Sequence, residues 1–254
     1  MKVDEIKLVG VMGGGVMGGG IAQTFAAHGF QTLIRDLNDE LIEKTRYSMV
    51  DGRFGLKGSV ERGKMTQAEC DAAIARFSFT TQVNDLRGCD LIVEAVPENL
   101  DLKKAVFSEL DGLVKPEAIF ATNTSGFAIS DVNRAVSRRD RFIGFHWFSP
   151  AFIMKPIEVI SAPETSAETT ETMVALTERL GKVPIRVKDA PGKYGFVANR
   201  IYFAMVAEAR KVLDEGVASA EDINAAMRLG FNWPAGPLEM VAGARKGWQW
   251  GGGG

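Results

Sequence analysis

Two residues in this chain have the types and spacing for acid–base work. His146 and Glu158 lie twelve residues apart on two apolar runs, residues 141–148 and 156–160, with Ser149-Pro150 marking a turn between them. If both runs are strands, the turn can bring imidazole and carboxylate together. Imidazole has an unperturbed pKa of about 6.5, near working pH, which suits it to exchange a proton with an alcohol or carbonyl oxygen. A carboxylate beside it would orient the ring and stabilise its protonated form. Spacing alone also fits a buried structural histidine and a strand carboxylate facing solvent. The other histidine, His28, precedes Gly29 at the end of a helical pattern and reads as a C-terminal cap.

A second constellation points to a nucleotide. An apolar run through Val9 and Val11 enters glycines at Gly13, Gly15 and Gly18, and a helical pattern follows over residues 16–28. In a G-x-G-x-x-G loop the first glycine permits the tight turn and the second lets backbone approach a pyrophosphate. The third lets helix and strand pack closely, and the helix N-terminus offers free N–H groups to the phosphates. The motif alone is weak, but the next strand-like run, residues 31–35, ends at Asp36, about 20 residues beyond the first glycine. A carboxylate there suits the adenosine ribose hydroxyls of NAD and would repel the phosphate of NADP, with adjacent Arg35 softening the preference.

These residues require a sheet to hold them. Strand-like runs at 6–12, 32–35, 91–96, 118–122, 141–148 and 156–160 alternate with helical patterns at 38–49, 65–76, 100–110 and 169–180. Thr66 is an N-cap candidate for the second of those helices, and residues 51–64 read as a Gly- and Lys-bearing connection. The alternation predicts an α/β fold, a Rossmann-type doubly wound, mostly parallel sheet spanning residues 1–187. Long helical patterns at 196–215 and 219–229 predict a short α-helical C-terminal domain over residues 188–254, ending in a disordered glycine tail.

Composition narrows the class. The 254 residues carry a net charge of −2 with no Lys/Arg stripe, which argues against a nucleic-acid partner. No apolar run is long enough to span a bilayer, so no membrane partner is expected. The N-terminus does not resemble a signal peptide, and Cys70 and Cys89 read as small buried hydrophobes in a reducing compartment, so a cytoplasmic protein is expected. No metal-ligand pattern is visible.

Taken in order, the motifs resemble the NAD-dependent L-3-hydroxyacyl-CoA dehydrogenases, including 3-hydroxybutyryl-CoA dehydrogenases. The resemblance runs from about residue 6 to residue 241. It rests on the glycine loop with Met17, Glu94-Ala95-Val96-Pro97-Glu98-Asn99-Leu100, Asn123-Thr124-Ser125, Gly144-Phe145-His146-Trp147-Phe148-Ser149-Pro150, Met154-Lys155-Pro156-Ile157-Glu158-Val159, Gly195-Phe196-Val197-Ala198-Asn199-Arg200 and Pro234-Ala235-Gly236-Pro237. It implies hydride transfer between NAD(H) and an acyl-CoA substrate, with His146 as acid/base and Glu158 its partner. Ser125 and Asn199 match residues that bond the reacting oxygen or hold the cofactor. Gly13, Gly15, Val16, Met17, Gly18 and Asp36 match the dinucleotide site, and Glu98 and Lys103 match positions near the nicotinamide half.

Two departures stand out. Family members run Pro-Gly-Phe directly into the Asn-Arg helix, whereas here Lys193-Tyr194-Gly195 intervene between Pro191-Gly192 and Phe196. Family members also continue for several helices past the equivalent of Pro237, helices that commonly form the dimer interface. A homodimer is expected where those helices are present, and the competing readings are a non-catalytic or truncated NAD-binding module, a segment of a multifunctional chain, or a dehydrogenase of a small hydroxy acid.

Overall fold

The computed structural model describes residues 1–246. The apolar strand β1 (Leu8–Met12) leads into α1 (Val16–Ala27), then β2 (Gln31–Arg35) and α2 (Asp39–Val50). Helices α3 (Leu56–Glu61) and α4 (Gln67–Ile74) precede β3 (Phe77–Thr80). Next come β4 (Leu91–Glu94), α5 (Leu100–Asp111), β5 (Ile119–Thr122) and the short α6 (Ile129–Val132). The antiparallel pair β6 (Phe142–Trp147) and β7 (Pro156–Ser161) follows, then α7 (Ala167–Arg179) and β8 (Val183–Lys188). Helices α8 (Val197–Asp214), α9 (Ala220–Phe231) and α10 (Pro237–Lys246) complete the described chain.

The eight strands form one sheet in the order β3-β2-β1-β4-β5-β6-β7-β8. β1 to β6 are parallel, β7 turns back against β6, and β8 runs parallel to β7. The chain starts in the middle and winds outward both ways, so the order reverses between β1 and β4. In open α/β sheets such a reversal opens a crevice at the carboxyl ends of the strands. β1, β4, β5 and β6 are buried on both faces, as parallel strands covered by helices must be, and read as near-continuous apolar runs. Val9, Val11, Ile21 and Phe25 pack on one side of the sheet, and Ile92, Phe107, Phe120 and Phe142 on the other. Phe107 meets Phe142 edge-to-face at 4.6 Å. Full burial of one such side chain is worth roughly 1.5–3 kcal/mol.

The predicted sheet forms, with more edge than the sequence pattern suggests. β3 and β8 are its two outer strands and escaped the pattern because one or both of their faces stay partly exposed. Residues 51–64 hold α3 rather than a plain connection, and α10 was not foreseen. α7 starts at Ala167, because Ser166 accepts from Thr169 N–H and caps it. Thr66 caps α4 as expected, reciprocated by Glu69. The ring Nδ1 of His28 bonds the Thr24 carbonyl at 2.8 Å, the capping role read for it.

The chain divides into two compact units, residues 1–196 and 197–254. The division falls after Phe196 rather than at 187/188, because β8 continues through Lys188 and Phe196 is buried in the core of the first unit. The expected glycine tail lies outside the described residues.

Candidate active site

The antiparallel register of β6 and β7 sets His146 directly opposite Glu158. Directly opposed residues project to the same face of a sheet within reach of each other, and here His146 Nδ1 lies 2.7 Å from Glu158 Oε2. Both side chains are buried, so the pair is a strong charge-assisted contact when the ring is protonated. An ionised carboxylate only accepts, so Nδ1 carries the hydrogen and Nε2 is left to exchange a proton. Phe148 and Phe196 flank the ring at 4.8 and 5.7 Å between centroids. Glu158 is buried rather than facing solvent, so the alternative of a solvent-facing carboxylate does not describe this geometry.

The loop between the two strands is braced from outside. Lys182, just before β8, donates to the carbonyls of Ala151 and Met154, both at 2.7 Å, and lies 5.7 Å from the Trp147 ring centre. Burial and the nearby Lys155 charge push its ammonium down to about 8.

The neighbouring strand brings Asn123-Thr124-Ser125 to the same edge of the sheet. Asn123 Oδ1 accepts from Trp147 N–H at 2.9 Å, tying the exit of β5 to β6. Ser125 follows half-buried, its N–H donating to Glu98 Oε1 at 2.8 Å while the Thr124 hydroxyl donates to the same oxygen at 2.6 Å. Glu98 thus acts on the turn that carries Ser125. Lys103 is not an exposed contact at the helix start. It is 1% exposed, donates to Glu94 Oε1 at 2.7 Å, and lies 3.2 Å from Glu98 Oε2 and 3.3 Å from the Val96 carbonyl oxygen. Its hydrogen bonds go to Glu94 and Val96, so it braces the loop after β4. Asn199 lies in the first turn of α8, in the second unit.

Glu94 and Thr122 were not singled out by sequence reasoning. They pair in register across β4 and β5, and the Thr122 hydroxyl donates to Glu94 Oε2 at 2.6 Å while Val96 N–H donates to Oε1 at 2.8 Å. Burial pushes the Glu94 carboxyl up, against the lowering influence of the Lys103 ammonium and these donors. A lone carboxylate ending an otherwise apolar strand, Leu91-Ile92-Val93-Glu94, was the available signal.

At the end of β1 the glycines form the predicted turn. Gly13 has φ +90°, a conformation that disfavours side chains, and a Cβ on Gly18 would lie 1.8 Å from the Gly13 carbonyl oxygen. Beside Gly15 the space is open, with nothing within 4 Å of where a Cβ would stand. Val16 is exposed at the loop and Met17 is half-buried against the core. Asp36 Oδ2 accepts from Gly14 N–H at 2.7 Å, which holds the carboxylate against the loop. A pocket of about 200 Å³ lies there, lined by Gly14, Gly15, Val16, Asp36, Lys44 and Thr45. Open backbone at a helix N-terminus with a carboxylate beside it fits the pyrophosphate and ribose of a dinucleotide. Arg35 Nε donates to the Thr81 carbonyl at 3.4 Å.

Residues 8–190 match the model of the 3-hydroxyacyl-CoA dehydrogenase NAD binding domain, and residues 195–249 match that family's C-terminal domain. The chain belongs to the 3-hydroxyacyl-CoA dehydrogenase family. It is 40% identical to a probable 3-hydroxybutyryl-CoA dehydrogenase of Deinococcus radiodurans over 91% of this chain and 81% of that protein. It is 38% identical to the mitochondrial hydroxyacyl-coenzyme A dehydrogenase of Rattus norvegicus over 93% of this chain and 75% of that one. The crystal structure of a (S)-3-hydroxybutyryl-CoA dehydrogenase from Ralstonia eutropha superposes with a TM-score of 0.88 at 40% identity, covering 92% of this chain and 81% of that one. Membership makes the chain an NAD-dependent oxidoreductase of the 3-hydroxyacyl-CoA dehydrogenase class.

Proposed function

We propose that the chain interconverts a 3-hydroxyacyl-CoA and a 3-oxoacyl-CoA, with His146 as the acid/base. The observation that carries this reading is the buried 2.7 Å contact between His146 Nδ1 and Glu158, on the strand next to the Ser125 turn. In oxidation His146 Nε2 takes the proton of the 3-hydroxyl; in reduction it returns a proton to the 3-oxo oxygen. Glu158 holds the ring in the tautomer that leaves Nε2 to act and stabilises the imidazolium formed. Ser125 polarises the oxygen, and Asn199 enters the reading on the family motif alone. The glycine loop and Asp36 would hold the dinucleotide, whose nicotinamide supplies or accepts the hydride when bound. Glu98 and Lys103 support that half of the site by fixing the loops after β4 and β5.

A cytoplasmic location belongs to the same reading, as does a homodimer where further C-terminal helices are present. Both cysteines are free and buried, as in a reducing compartment, and no helix among the described residues is long and apolar enough to cross a membrane. The second unit carries an apolar cleft of about 520 Å³ lined in part by Met205, Val212, Ile223 and Met227, surface of the kind that subunits cover.

The test is the loss of NADH absorbance on adding acetoacetyl-CoA to the purified chain. Turnover that requires the CoA thioester is the expected result. A folded chain that binds NADH and turns over nothing would assign it to the non-catalytic module instead.

A further inference from the structure

The three residues that interrupt the family's Pro-Gly-Phe junction do not loop into empty space. The two family-domain matches stop at residue 190 and resume at 195, so Tyr194 lies between them. Its ring nevertheless packs within the first unit, on the turn that follows Ser125. Gly126 is buried there, and a Cβ on it would lie 2.8 Å from both Cδ atoms of the Tyr194 ring and 2.5 Å from Gly195 N. Gly195 N–H donates to the Gly126 carbonyl at 3.2 Å, and Phe127 meets the Tyr194 ring edge-to-face at 5.9 Å. The contact therefore has backbone, ring-on-backbone and ring-on-ring components.

The polar end of the residue reaches the same hub from the other side. Tyr194 is 55% exposed overall, and partial burial with the Glu98 carboxylate near its phenol holds that phenol above its ordinary range. Glu98 already receives the Ser125 N–H and the Thr124 hydroxyl on Oε1 and has Lys103 Nζ 3.2 Å from Oε2. Lys103 is thus the other charged group at this hub.

We propose that Tyr194 is a positioning residue for Ser125, its ring seated on Gly126 and its hydroxyl engaging Glu98, so that the inserted segment clamps the 124–126 turn from both ends. The proposal rests on the role given to Ser125 above. Tyr194 touches no reacting atom in this scheme and acts through Glu98 and the turn.

The test is a double-mutant cycle on the full chain with Tyr194→Phe and Glu98→Gln, read by acetoacetyl-CoA reduction and by tyrosinate absorbance. Tyr194→Phe should lower kcat about threefold to tenfold, the scale of one ordinary hydrogen bond, while KM for NADH moves less than about twofold. In the Glu98→Gln background the same change should add less than about twofold. Effects that multiply independently, or an unchanged kcat in Tyr194→Phe, would overturn the proposal. The chain has three tyrosines, so the wild-type minus Tyr194→Phe titration isolates this phenol. It should ionise above about 10, and Glu98→Gln should bring it down. A titration indifferent to Glu98→Gln removes the contact whatever the chain turns over. A Glu98-dependent titration in a wild-type chain without turnover supports the contact and overturns the functional reading instead.

Discussion

Two buried cation–carboxylate pairs sit on the same sheet and do different work. His146–Glu158 and Lys103–Glu94 are both 2.7 Å apart and both nearly inaccessible. The lysine pair is tied into its surroundings: Lys103 also donates to the Val96 carbonyl, and Glu94 takes further hydrogen bonds from Thr122 and Val96. The histidine pair is open: Glu158 engages Nδ1 and leaves Nε2 as the exchangeable position. The lysine so placed ties the loop after β4 to α5, whereas the imidazole is the group to which the proposed proton transfer is assigned. Lys182 makes a third case, a buried ammonium held by two carbonyls and an aromatic face rather than by a carboxylate.

The sharpest way to break the comparison is on the histidine. His146→Ala should lower kcat by about 10²–10⁴, the usual worth of general acid–base catalysis, while NADH fluorescence titration gives near-normal binding. An Ala variant with full turnover would make this pair as structural as the other. Lys103→Met should do the reverse and strike stability first. It leaves Glu94 buried without its cation, a change that costs about 3–5 kcal/mol in urea unfolding. Adding Glu94→Leu should recover part of that loss. A Lys103→Met protein of wild-type stability but no activity would instead place Lys103 among the reacting groups.

The smallest effect concerns Lys182 and has an unusual sign. Its folded pKa, about 8, lies below the unfolded lysine value of about 10.4. Between those values the unfolded chain holds a proton that the folded chain has released, so this group's contribution to stability rises with pH, by at most about 1.4 kcal/mol per unit. Below about pH 8 the contribution is flat. Urea unfolding at pH 7.5 to 10 should show the rise in wild type relative to Lys182→Met; identical slopes would mean that Lys182 titrates normally.

What was legible in the sequence follows from how local each signal is. The glycine loop, Asp36 and the β6–β7 pairing depend on neighbours within one βαβ unit or one hairpin, so spacing suggested them and the family motifs singled them out. The role of Lys103 depends on Glu94 and Thr122, which only the sheet brings together, and a helix-start lysine carries no mark of burial. β3 and β8 were missed because edge strands lack the continuous apolar run that betrayed the central ones. Tyr194 was visible as an interruption, but its seat on Gly126 is a contact across 68 positions of chain that no local pattern encodes.

The reversal of β7 has a kinetic meaning as well as a geometric one. Because the chain turns straight back after β6, the imidazole and its carboxylate are joined by a loop of about a dozen residues, whose closure entropy is small and grows only slowly with length. Local unravelling at that edge of the sheet can therefore be undone by the hairpin itself. The Gly14–Asp36 and Glu94–Thr122 contacts close longer stretches of chain, 22 and 28 positions, and must wait for whole strands to dock. The half of the site proposed to handle the proton therefore closes over the shortest stretch of chain.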